Sequence, residues 1–527
     1  MKQVSATPRK AESNLLASER SIVERITAPR EIWWWTGLAI LLAAALLRLL
    51  FLTEKPLHHD EGVNGVFLAT LFRTGYYHYD PANYHGPILY YLAIIPTAIN
   101  SLFHWGHGLS TFAIRFVTAA FGVGVVWLIL CLRRWLGDAG SLAAAAFAAF
   151  SPGFVFFSRY FIHEILFVFF TLGIVVAWLW YRETGRHRYL MLASASAALL
   201  FSTKETWIIT VAVWLIAIPC TVIWLRLLKP AGRPPKRSLG SPVAEFDKAD
   251  RWKLWSKAGL LFIAIAVLLY SSFFTNPKGI LDSLLTFTYW TKTGQHGIYN
   301  REWSTYLKWL GQEEGPLLVL GAIGILVALV RARSRFMVFC AFWTLGIFAA
   351  YSLVPYKTPW LALSLILPLA LMAGYLVNEM YHPGLRVFTL LVAAAAGTVA
   401  LYQAIDISFV HYDENTQAYP YVYAHTSRDF LSLIDEINSI AARNPARKDI
   451  GITVVSPEHW PLPWYLREYT HVGYWGHIVP TAEPIVIALQ GQTDELEQQL
   501  GGGYRRFSIH DLRPGNTLVM YLRKDIP

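Results

Sequence analysis

Two short acidic stretches about a hundred residues apart carry the side chains best suited to chemistry. The first is His58-His59-Asp60-Glu61. An ionised carboxylate there can take a proton from a nucleophilic hydroxyl or hold a divalent cation. The second groups Arg159-Tyr160 with His163-Glu164. Each has a plainer reading: Asp and Glu favour the first turn of a helix, and Glu164 beside Arg159 makes a structural ion pair. Returned to one face of a fold, the two stretches would form an acid/base or metal site with Asp60, Glu61 and Glu164 as its carboxylates. Two lone cations extend the pattern. Lys204 in Lys204-Glu205 lies between apolar runs with almost no loop, and Lys357 lies in Tyr356-Lys357-Thr358-Pro359-Trp360. Ammonium groups held at that depth can meet a lipid phosphate, although a solvated turn and a tryptophan-flanked anchor are competing readings.

The elements that position these residues must be membrane helices. Of 527 residues, 55% are hydrophobic and only 15% charged, which leaves too little polar surface for a water-soluble domain. The net charge of +10 lies beside apolar runs, where it suits lipid headgroups and not nucleic acid. Cys131, Cys220 and Cys340 fall singly in apolar runs, so neither a disulfide framework nor a zinc knuckle is indicated. Apolar runs begin near Ile32, Thr111, Ala139, Ile162, Tyr189, Thr206, Ala258, Pro316, Phe336, Trp360 and Leu385, giving about eleven spans. Residues 1–31 read as a polar cytoplasmic tail, and the first run as an uncleaved anchor. Arg48, late in that run, is expected to snorkel toward the interface near Glu54.

Gly86–Phe103 is apolar but opens with Gly86-Pro87 and contains Pro96. If it lies along the interface instead of spanning, the short loops with Arg133 and Arg134, Arg182 to Arg188, the basic linker 228–256, Arg331 to Arg335, and Arg386 all share the side of the tail. That is the positive-inside pattern. Both acidic stretches, Lys204 and Lys357 then emerge on the other side. The expected division is a transmembrane catalytic domain over 32–405, with a first outer loop at 53–110 and another at 276–314, then an outer-face α/β domain over 406–527. In the first loop, Glu61–Arg73 spaces Val63, Val66, Phe67, Leu71 and Phe72 as a helix lying flat in the interface. In the last domain, 451–456, 485–489, 506–510 and 517–522 read as strands, 427–442 and 493–500 as helices. The aromatic-rich loop from Asn276, with His296 and Tyr299, suits sugar stacking, although any interfacial loop is rich in aromatics. Ser456–Tyr465 has two readings, a segment that helps bind the acceptor or a proline-aromatic turn packed under the last domain.

The order of these pieces resembles membrane glycosyltransferases of the GT-C type, in particular the protein O-mannosyltransferase and aminoarabinose transferase group. His59-Asp60-Glu61 looks like that group's first-loop acidic motif, and Tyr84-His85-Gly86-Pro87-Ile88-Leu89-Tyr90-Tyr91 like its juxtamembrane proline stretch. Arg159–Glu164 resembles its second acidic motif, with Glu164 where aspartate is usual, and Thr203-Lys204 its next outer-loop lysine. In layout the chain is similar to a bacterial and archaeal branch associated with flippase activity. The resemblance implies a multi-pass plasma (inner) membrane enzyme with its N-terminus in the cytoplasm. Its donor would be a polyprenyl-phosphate-linked sugar, its acceptor a glycan, lipid or protein, and the transfer inverting and on the outer face. Asp60 is then the leading catalytic carboxylate. Arg159, Lys204 and Lys357 would bind the donor phosphate, and His59, Tyr84, His85, Tyr160, His163 and Glu205 the substrates. The resemblance fixes no cofactor, and metal use stays open: a divalent ion would take Asp60, Glu164 and His163. The alternatives are a component of a lipid-linked glycan flippase, whose charges would line a path through the bundle, and a non-catalytic lipid-sugar-binding protein.

Overall fold

The computed structural model describes residues 30–82, 85–103, 108–228, 248–293 and 300–526. The tail, most of the basic linker, Tyr84, His296 and Tyr299 lie outside them. The membrane part is helical: α1 (Arg30–Leu49), α2 (His59–Thr74), α3 (Ile88–Leu102), α4 (Thr111–Leu130), α5 (Asp138–Phe150), α6 (Pro152–Ser158), α7 (Glu164–Thr184), α8 (His187–Phe201), α9 (Trp207–Leu227), α10 (Lys248–Tyr270), α11 (Lys278–Thr293), α12 (Thr305–Glu313), α13 (Gly315–Arg331), α14 (Arg335–Leu353), α15 (Leu363–Met380) and α16 (Arg386–Ile405). Among the described residues eight helices are long and apolar enough to cross a membrane, and two bent pairs raise the number to ten. The chain is therefore a multi-pass membrane protein. The expected eleventh span is α8, whose 15 residues reach about 22 Å at 1.5 Å each, short of the hydrocarbon core. The segment of uncertain depth, Gly86–Phe103, forms the equally short α3 around Pro96.

The most enclosed helix is α15: 89% of the span it closes is buried, against 22% for α9, α10 and α16. Small residues let the backbones close around it. A Cβ on Gly374 would meet the Gly140 carbonyl and the Ala144 side chain of α5, and one on Gly324 would meet the Met372 backbone. Lipid offers no hydrophobic drive for helix pairing, so such close van der Waals approach holds the bundle together. The α5–α6 pair bends by 55°: Ser151 opens α6 with its Oγ accepting from the Phe154 N–H, and Pro152 follows. Arg48 does not snorkel. It turns inward to this break, where its guanidinium donates to the carbonyls of Ala44, Ala148 and Ala149, because a helix end inside the bundle leaves acceptors that need donors.

From Asp429 the chain builds a five-stranded sheet ordered β2-β1-β3-β5-β4. Its strands are β1 (Ile452–Val454), β2 (Val472–Tyr474), β3 (Ile485–Leu489), β4 (Tyr504–Arg513) and β5 (Asn516–Arg523). β1 runs parallel to β2 and β3, while β5 is antiparallel to β3 and β4. Helix α17 (Asp429–Arg443) buries Phe430, Leu433, Ile437 and Ile440 on one face, and α18 (Thr493–Leu500) sets Leu496 against the other. The i, i+3, i+4, i+7 spacing of α17 made it readable in sequence. β2 was not, since its three residues are only half-buried.

The small domain packs onto α2. A Cβ on Gly62 would stand 2.6 Å from the Pro461 side chain, and one on Gly65 2.5 Å from the Trp464 ring. Tyr465 Oη accepts from the Leu57 N–H at 2.9 Å, and Arg467 donates to the Leu109 carbonyl at 2.6 Å. Segment 456–465 thus grips the first outer loop and does not merely pack beneath its own domain. The buried face of α2 is formed by Gly62, Asn64, Gly65 and Leu68, while Val63, Val66, Phe67 and Phe72 stay half-buried.

Candidate active site

Helix α2 starts where the first acidic stretch predicts a helix start. Nδ1 of His58 accepts from the Asp60 N–H at 3.1 Å, and the Glu61 carboxylate accepts from the His58 N–H at 2.9 Å. This reciprocal cap fixes the first turn. Glu61 is fully enclosed, with Arg115 of α4 gripping both its oxygens at 2.7 and 2.8 Å. It also accepts from the Phe161 N–H at 2.9 Å, while Arg115 satisfies the carbonyls of Leu52, Lys55 and Pro56. Burial would raise the Glu61 carboxyl, but the Arg115 charge and hydrogen bond hold it below its ordinary range. The catalytic expectation for Glu61 meets a corrective geometry: every lone pair faces a fixed donor, so it joins the first outer loop, α4 and the second acidic stretch.

Asp60, one residue earlier, is only half-buried and lies within electrostatic reach of His59, Glu164, Lys204 and His85. Burial raises its carboxyl and Glu164 adds to the rise, against the pull of His59, Lys204 and His85. Lys204 donates to Glu164 Oε1 at 2.5 Å. Burial alone would lower this ammonium, yet Glu164 more than offsets it and the group is held above its ordinary value. Beside the pair, His85 Nδ1 lies 2.9 Å from Glu205 Oε2, and Thr286 of α11 donates to the other Glu205 oxygen at 3.4 Å. His163 Nε2 meets the Gly86 carbonyl at 3.0 Å, and its ring stands edge-on to His85 at 5.4 Å. Six predicted residues besides Asp60 therefore converge with it: His59, Glu164, Lys204, His85, Glu205 and His163.

Others do not. Arg159 donates to the carbonyls of Leu47, Arg48, Leu50 and Phe51, closing the C-terminus of α1. Lys357 does the same at the end of α14, donating to Tyr351, Ser352 and Val354. Both cations neutralise a negative helix end, so neither is presented to a donor phosphate. Tyr160 is 1% exposed, its hydroxyl 3.1 Å from His425 Nδ1 and its ring 3.5 Å beneath the Lys55 ammonium, an internal position instead of a substrate contact. His59, which does stand with Asp60, also lies 3.5 Å from an Arg513 nitrogen and against Trp460, so the small domain reaches the residue next to Asp60. Burial drives the His58 and His59 rings down to about 4, and both are neutral near pH 7.

Arg115, Lys55, His425 and Arg513 complete the surroundings and were not singled out in sequence. Arg115 was findable, since a charge inside an apolar span demands a partner; the other three depend on folding between distant segments. Among the described residues no group of three or more His, Cys, Asp or Glu side chains is arranged to hold a metal ion. With Glu164 turned to Lys204 and His163 to a carbonyl, the proposed trio of Asp60, Glu164 and His163 does not fit one.

Residues 95–276 match the family model described as dolichyl-phosphate-mannose-protein mannosyltransferase. Glu164 and Lys204 fall within that segment and Asp60 before it. No curated protein matches the sequence. Among solved structures, ArnT from Cupriavidus metallidurans in the apo state superposes with a TM-score of 0.63 at 14% identity, covering 93% of this chain and 97% of that one. Its form bound to undecaprenyl phosphate gives 0.61 at 14%, covering 93% and 98%. The Archaeoglobus fulgidus oligosaccharyltransferase AglB, in complex with an inhibitory peptide and a dolichol-phosphate, gives 0.52 at 14%, covering 88% and 70%. The chain thus has the GT-C fold, and this fold together with the matched segment bears out the resemblance carried by the two acidic motifs and the proline stretch.

Proposed function

We propose that the protein is a glycosyltransferase that moves a sugar from a polyprenyl-phosphate-linked donor to a glycan, lipid or protein acceptor on the outer face of the membrane, with inversion. Asp60 is the base. It takes the proton of the acceptor nucleophile as that atom bonds to the anomeric carbon; the bond from this carbon to the phosphate oxygen breaks, and polyprenyl phosphate leaves with the electron pair. Single displacement from the opposite side inverts the anomeric centre. Lys204, steadied by Glu164, meets the charge that grows on the leaving phosphate, while His85, steadied by Glu205, and His59 flank the sugar. No step needs a metal ion. The observation that carries the reading is the Lys204–Glu164 ion pair set beside the His85–Glu205 pair and the His163 ring, with the Asp60 carboxyl in electrostatic reach of Glu164, Lys204 and His85. The complexes of similar folds with undecaprenyl phosphate and dolichol-phosphate support the donor class.

The test is purified protein in nanodiscs given a radiolabelled polyprenyl-phosphate sugar and a membrane-extract acceptor. Wild type should yield labelled product, and Asp60→Asn and Lys204→Ala should each cut turnover by about a hundredfold or more, the scale of a lost base or charge stabiliser. Labelled lipid that crosses leaflets without forming product, indifferent to Asp60→Asn, would make the flippase reading the better one.

A further inference from the structure

A large cavity lies at the end of the bundle away from Asp60. It measures about 1410 Å³ and is bounded by α1, α4, α7 and α8, larger than the roughly 300–1,000 Å³ typical of small-molecule pockets. Trp33 to Trp35 stand at its mouth, sixteen residues before the end of α1, about 24 Å along the axis from the Asp60 end. The cleft therefore opens at the end of the bundle opposite the site. Its walls are apolar and partly face lipid: Trp35 is 70% exposed, Trp127 52% and Leu192 54%. Gly37, Gly173 and Ala195 leave the room.

The mouth is basic. Arg133 and Arg134 line it; Arg133 stacks on Trp33 and is bidentate to Asp138, and Arg134 pairs with Glu183 while keeping 54% of its side chain exposed. Arg188 bonds the hydroxyl of Tyr189, another lining residue, at 3.1 Å. The two loops at this end, 133–138 and 182–188, hold five arginines against two acids, so their net formal charge is positive. We propose that the cleft is a binding site for an anionic diacyl phospholipid of the leaflet at the basic end: the acyl chains fill the apolar cavity, and the phosphate meets Arg134 and its neighbours beside the tryptophans. The site is separate from the proposed donor site and does not depend on its assignment.

Native mass spectrometry of the full chain in mild detergent tests this with an equimolar mixture of dioleoyl phosphatidylglycerol and dioleoyl phosphatidylcholine. Wild type should retain one phosphatidylglycerol with at least about fivefold preference, the effect of one basic side chain at an anionic surface. Arg134→Gln should bring the ratio toward parity, and Ser196→Trp, which fills the cavity wall, should cut retention by about fivefold or more at an unchanged melting temperature. If Ser196→Trp does not fold, Leu192→Trp on the exposed rim serves the same purpose. Equal retention of both lipids by wild type, retention unaffected by the tryptophan variants, or displacement by equimolar undecaprenyl phosphate would each overturn the proposal.

Discussion

Asp60 and Lys204 are linked through Glu164, and that link makes a pH prediction with a sign. Burial, then Glu164, raises the Asp60 carboxyl, whereas His59, Lys204 and His85 pull it down. A base works only when ionised, so kcat/KM should fall as pH drops through this raised value, above the ordinary carboxylate range. Glu164→Gln removes a raising charge and frees Lys204, so the acid limb should move to lower pH. Lys204→Met removes a lowering charge beside an intact Glu164, so the limb should move up. Residual-rate profiles of both variants check this; a limb that neither variant moves would mean that another group titrates. At this scale the sequence was half legible. The residue types at Asp60, Glu164 and Lys204 stood out because charges at membrane depth are costly. Nothing local distinguished Lys204, which meets a carboxylate, from Arg159 and Lys357, which meet helix carbonyls; the difference lies in which helix end folds beside each.

The element that matters most is α2, held on one side by Arg115 and on the other by the small domain. Replacing Glu61 by Gln leaves a buried guanidinium without its counter-charge, and removing one partner of such a pair costs about 3–5 kcal/mol. Because the Glu61 carboxyl is held below its ordinary value, its contribution is present above the unfolded-state pKa and lost as pH falls through the folded one. Thermal denaturation in detergent should show a lower melting temperature for Glu61→Gln at pH 7, with the gap to wild type closing in strong acid. The other side of α2 is tested at Gly65, where a Cβ would stand 2.5 Å from the Trp464 ring. Gly65→Leu should cost about 1–3 kcal/mol by overpacking and lower transfer as Asp60 shifts, whereas Gly397→Leu, with no atom within 4 Å of its Cβ, should do neither. The helix itself was predictable from His58 to Glu61, but its glycine face was not, because the ring that fills it comes from four hundred residues away.

On the scale of the whole molecule, the two ends of the bundle differ in chemistry. Asp60, Glu164, Lys204 and the sheet domain gather at one end, and the arginine-rich loops around Arg133 and Arg188 at the other. The helical class and the α/β ending were readable in sequence because apolar length and alternation are local properties; the two bends and the short α8 were not, since they arise from packing. The asymmetry fixes which way the chain should insert. Each basic residue near an anionic surface favours the cytoplasmic leaflet by about 1 kcal/mol, so the arginine-rich end should stay inside and the sheet domain should be exported. A reporter active only outside the cytoplasm, fused after Pro527, should be active; a cytoplasmic reporter at the same point should be silent. Moving the balance is the sharper check. Neutralising Arg133, Arg134, Arg186 and Arg188 together removes most of the bias from two adjacent loops, and a mixed population of inserted chains should appear, with transfer falling in proportion to the inverted fraction. Uniform insertion with the reporter inside the cell in wild type would reverse the leaflet of both the transfer site and the cleft.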